Sequence, residues 1–107
     1  IRRSMPRFQG GHWAANQTLL SSFRGLADEV GCTPAQLAIA WLLHRGDDIM
    51  PIPGTARVDH LLENLGADTV VLGAGHMARL ERLFGPGAVS GDRYGEQARS
   101  EVDTESC

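Results

Sequence analysis

Apolar residues recur at helical spacing over much of this chain. Leu19, Leu20, Phe23, Leu26, Ala27 and Val30 mark one face of a helix, with Asn16 as its expected N-cap and Gly31 as its stop. Thr33-Pro34-Ala35-Gln36 opens the next helix. Thr33 caps it, Pro34 occupies the first helical position, and Gln36 completes a capping box. Leu37 to Leu43 is apolar nearly all round, Ile39 and Trp41 included, which predicts a deeply buried helix that ends by Gly46. Residues 1–15, with Pro6, Gly10 and Gly11 and no sustained period, read as a loop.

The pattern then changes. Residues 49–53 alternate, placing Met50 and Ile52 on one face, and form the single convincing strand, although Pro51 and Pro53 argue against a central position in a sheet. Val58, Leu61, Leu62 and Leu65 predict an amphipathic helix over 57–66, closed by Gly66. Met77, Leu80, Leu83 and Phe84 predict a further helix over 74–84, and residues 85–107 read as a tail. One strand among four helices leaves its backbone groups without a ladder partner. The reading that resolves this is an alternating β/α protein whose other strands precede Ile1.

Where the strand empties into a helix, the chain reads Ile52-Pro53-Gly54-Thr55-Ala56-Arg57. Unpaired N–H groups and the helix dipole converge at such a point and attract anions. Arg57 adds a fork-shaped cation, Thr55 a hydroxyl, and Gly54 permits close backbone approach. The physical reading is a phosphate seat. The bland alternative is a plain strand-to-helix turn.

Composition narrows the field. With 107 residues, 42% hydrophobic and 21% charged, the chain suits one soluble domain or part of a larger one. A formal net charge of -3 speaks against nucleic acid and anionic membranes as partners. No apolar run approaches a membrane-spanning length. Cys32 and Cys107 lie far apart and predict no disulfide framework, which fits a reducing cytoplasm. The basic start (Arg2, Arg3, Arg7) and acidic end (Glu96, Glu101, Asp103, Glu105) read as solvated termini.

Other chemistry fares less well. The stretch from Leu26 to Gln36 has the rhythm of a helix-turn-helix, but the second helix carries Ala38, Ile39, Ala40 and Trp41 where a DNA reader needs polar or basic residues. His12, His44, His60 and His76 form no metal-binding spacing. Asp47 and Asp48 read as solvating a turn, and Ser4, Ser21 and Ser22 have no histidine partner nearby in sequence.

Thr33-Pro34-Ala35-Gln36-Leu37-Ala38-Ile39-Ala40-Trp41-Leu42-Leu43, Ile52-Pro53-Gly54-Thr55 and Leu62-Glu63-Asn64 together resemble the C-terminal third of aldo-keto reductases. Pro6-Arg7-Phe8 and Gly91-Asp92-Arg93-Tyr94 extend the resemblance to roughly residues 2–95. It implies an α/β fold, the C-terminal part of a (β/α)8 TIM barrel: the last helical layer, strand eight, helix eight, an extra helix and the tail. It also implies NADPH-dependent reduction of a small carbonyl substrate, an aldehyde or ketone. Gly54, Thr55, Ala56 and Arg57 would surround the ribose 2′-phosphate of NADP(H), with His60 beside them, and Glu63 and Asn64 would meet the adenine.

The chain also departs from the family pattern. His60 stands where many members carry a second basic residue, Gly54 where some carry lysine, and Gly73 where the extra helix usually opens on serine or threonine. The family's catalytic aspartate, tyrosine, lysine and histidine lie upstream of the matched stretch, and this chain has no lysine at all. No catalytic residue is therefore assigned, and the chain alone is expected to be inactive. The competing reading is a non-catalytic helical remnant or protein-interaction module, with oligomeric state left open.

Overall fold

The computed structural model describes residues 2–95. Two short 3-10 turns, Arg2–Ser4 and Pro6–Phe8, lead into helix α1, Gly10–Val30. Helices α2, Pro34–Leu43, and α3, Val58–Leu65, follow. A 3-10 turn over Gly66–Thr69 and helix α4, Ala74–Leu83, complete the order.

Residues 2–15 are therefore not a loop, and Asn16 is not a cap. Helix α1 begins at Gly10 behind Gln9, which makes no side-chain cap. Asn16 is occupied elsewhere. Its Nδ2 donates to the carbonyls of Arg7 at 3.0 Å and Ser90 at 2.8 Å, while its Oδ1 accepts the Ser90 N–H at 2.8 Å. His12 Nδ1 adds a 2.8 Å contact to Ser90 Oγ. Gly91 permits this close approach, because a Cβ there would lie 2.9 Å from the Arg7 Cα, and its φ of +83° disfavours other residues. The 85–95 segment thus anchors the start of α1. The rest of the predicted tail, with its acidic cluster and Cys107, lies outside the described residues.

Local signals between α1 and α2 hold as read. Gly31 adopts the left-handed conformation, and its N–H and that of Cys32 close back on Ala27 O. Thr33 Oγ1 accepts the Gln36 N–H at 3.2 Å and Gln36 Oε1 accepts the Thr33 N–H at 3.1 Å, the reciprocal capping box.

Leu26 and Ala27 of α1, Leu37 and Ala40 of α2, Leu72 and Leu80 of α4 form the buried core. Phe23 and Phe84 meet edge-on, 5.2 Å apart. Arg79 reaches from α4 to Glu29 of α1 at 2.7 Å, and Arg45 pairs with Glu81. His44 ties α2 to the segment before α4. Its Nδ1 lies 2.7 Å from Ala40 O, and its Nε2 accepts the Leu72 N–H at 3.2 Å. A donor to a carbonyl on one nitrogen and an acceptor on the other describe a neutral ring.

Two expectations fail on the other side of α2. First, this helix is not buried all round. Leu37 and Ala40 are sealed, but Ile39, Trp41, Leu42 and Leu43 are only half-buried and Ala38 is exposed. Second, residues 49–53 form no strand, and no strand occurs among the described residues. Ile49 closes a turn onto Gly46 O. Met50 is 85% and Ile52 91% exposed, so the predicted shared face has nothing against it. Strand structure exists only through pairing, and Pro51 and Pro53 remove two donors from any ladder. The apolar stripe of α3 is likewise open, with Leu62 and Leu65 each 63% exposed and no residue of the helix buried.

Candidate cofactor-phosphate site

The turn from Pro53 to Arg57 is organised by Thr55. Its Oγ1 accepts the Arg57 N–H at 3.2 Å and lies 3.3 Å from Arg57 O. This is a side-chain-supported turn of the kind serine and threonine favour. It delivers Arg57 in extended conformation to the N-cap position of α3, where its side chain caps nothing. The guanidinium lies exposed at the helix N-terminus.

The fork is not idle. Arg57 Nε donates to Asp59 Oδ1 at 2.9 Å and Nη2 to Asp59 Oδ2 at 2.5 Å. This hydrogen bonding holds the Asp59 carboxyl below its ordinary range, with a smaller push from the His60 backbone N–H, and raises the Arg57 guanidinium further. Both side chains remain mostly in solvent. Asp59 sits in the first turn of α3, where the helix dipole favours a carboxylate. It is the residue that the sequence reading missed. The signal was an acid two residues after the arginine, at a helix start already assigned to an external anion.

The other expected residues divide. Gly54, Ala56 and His60 are exposed around the turn. Asn64 lines an open cleft of about 480 Å³ between α2 and α3, beside Ile39, Met50, Pro53 and Leu61. Glu63 is half-buried, and its carbonyl accepts a 2.9 Å hydrogen bond from Gln36 Nε2. The structure therefore gathers Thr55, Arg57 and Asp59 into one hydrogen-bonded group and sets Asn64 apart in the cleft.

The donor set suits a phosphorylated nucleoside. An exposed guanidinium with a free Nη1 edge presents paired donors to phosphate oxygens. An amide in an apolar cleft can hydrogen-bond a purine edge while aliphatic walls cover the ring. Elsewhere, no group of three His, Cys, Asp or Glu residues that could hold a metal occurs among the described residues. Cys32 is a free thiol packed against the core, and burial pushes its pKa up, away from reactivity. No helix among the described residues is long and apolar enough to cross a membrane.

Comparison with known proteins places the chain in a family. The model of the aldo/keto reductase family matches residues 2–84. The aldo-keto reductase yakc of Schizosaccharomyces pombe, whose name carries NADP(+), is 40% identical over 102 residues. That match covers 95% of this chain and 30% of the relative, so the chain spans under a third of the relative's length. The family's fold is a TIM barrel. The match runs through the capped helix α2, the Gly54–Arg57 turn and helix α3, and the chain belongs to the aldo/keto reductase family.

Proposed function

We propose that this chain supplies the adenosine end of an NADP(H) site in an oxidoreductase that reduces an aldehyde or ketone. Arg57 takes the ribose 2′-phosphate, with Gly54, Thr55 and Ala56 forming the turn around it and His60 at its edge. Asn64 and Glu63 serve the adenine, Asn64 from the cleft beside Pro53. In this reading residues 49–53, which are unpaired here, become a barrel strand only when neighbouring strands pair with them, and the exposed apolar positions Met50, Ile52, Leu62 and Leu65 are covered by the rest of the barrel.

The observation that carries the proposal is the Arg57 fork at the N-cap of α3, within the stretch that matches the family. The name of the yakc relative supports the choice of NADP(H). When bound, NADPH supplies the hydride for the carbonyl carbon. The residues of this chain bind and orient its far end, and none is assigned a proton-transfer step.

Titrating the chain with 2′,5′-ADP and with 5′-AMP tests this. The expected result is tighter binding of 2′,5′-ADP, by about tenfold or more, as a charge-assisted contact requires. Arg57→Ala removes that preference and leaves 5′-AMP unchanged. Equal binding of the two nucleotides, or none, overturns the proposal. The open apolar face favours a second reading, a protein-interaction module. Absence of nucleotide binding together with concentration-dependent association would support it.

A further inference from the structure

Helix α3 carries the candidate site, yet none of its side chains is buried. Packing seals only the turn that follows it, where Ala67 is buried. A polar contact ties the helix itself to α2. Gln36 Oε1 accepts the Thr33 N–H within its own helix cap, and Gln36 Nε2 donates across to Glu63 O at 2.9 Å. That carbonyl belongs to the last turn of α3, where a helix leaves its own acceptors without partners. Gly66 makes room for the contact, since a Cβ there would lie 2.5 Å from Gln36 Nε2. One amide side chain thus uses both ends, capping α2 and tethering α3.

We propose that Gln36 is a positioning residue for the nucleotide site. It sets α3, and with it Arg57 and Asn64, against α2. The inference rests on the cofactor reading above. Gln36 touches no expected ligand atom and acts only through the helix that it holds.

The two ends of the side chain can be separated. Gln36→Glu keeps an oxygen for the Thr33 N–H and suits the capping box, but replaces the donor that faces Glu63 O. Gly66→Ala displaces the same Nε2 from the other side. Thr33→Ala weakens the cap and leaves the tether. Each variant is titrated with 2′,5′-ADP, and amide hydrogen exchange is followed over Leu61 to Leu65.

Q36E and G66A are expected to weaken 2′,5′-ADP by about three- to tenfold, the loss of one hydrogen bond, and to speed exchange in α3. T33A should change nucleotide affinity by less than about twofold, as a substitution remote from the site. Equal effects of Q36E and T33A on affinity, or unchanged binding and exchange in Q36E, overturn the proposal. Failure of the unsubstituted chain to bind 2′,5′-ADP overturns the cofactor reading instead. Exchange alone then decides the tether, with faster exchange in Q36E upholding it and unchanged exchange refuting it.

Discussion

The two sides of helix α2 behave as different materials. Toward α1 and α4, Leu37 and Ala40 are sealed against Leu26, Ala27, Leu72 and Leu80, and ion pairs stitch the rim. Toward residues 49–65, the same helix faces a cleft, an unpaired segment and a helix with no buried residue. The first side is structure the chain completes by itself. The second holds the candidate site, and Gln36 reaches across it to the Glu63 carbonyl. Affinity and stability should therefore respond to different substitutions.

The largest effect belongs to the sealed side. Leu37→Ala should cost about 2–5 kcal/mol of unfolding free energy in chemical denaturation, because a fully buried leucine leaves a cavity. A loss no greater than that of a surface substitution would show that the core is not where stability resides. Thr33→Ala should cost about 1 kcal/mol through its lost cap, measured the same way. On the open side, Ile52→Ser should alter stability by less than about 0.5 kcal/mol, the range for exposed positions.

Two electrostatic predictions are smaller. Asp59→Asn should tighten 2′,5′-ADP by a few-fold, and more at low salt, because the Asp59 carboxylate both occupies the Arg57 fork and repels phosphate. Weaker binding in this variant would mean that Asp59 orients the fork instead. Glu29 has its carboxyl held low chiefly by the Arg79 hydrogen bond. A depressed native value means that this contribution is present above the unfolded carboxylate's range and is lost as pH falls through the native one. Acid titration should thus loosen α1 from α4, and Glu29→Gln should flatten that part of the stability profile. A profile identical in the variant would remove Glu29 from the account.

What sequence reveals here follows the range of the interaction. The Gly31 stop and the Thr33–Gln36 box are local chemistry, and both stand as read. The early start of α1 was hidden because its support comes from Ser90, far along the chain, through Asn16. The missing strand was misread for a related reason, since alternation sets a face but pairing makes a strand. At the site, the turn and Arg57 were legible from residue types at a helix start. The Arg57–Asp59 pair was within reach of a local reading, whereas the Gln36 tether joins positions that no short motif connects.

Native-state hydrogen exchange of the whole chain, with and without 2′,5′-ADP, tests the central claim most directly. The account predicts slow exchange through α2 and the core-facing parts of α1 and α4, fast exchange in α3, and selective protection of α3 when the nucleotide binds. If α3 is already as protected as α2, or if the nucleotide leaves its exchange unchanged, the assignment of the open side to cofactor binding is contradicted.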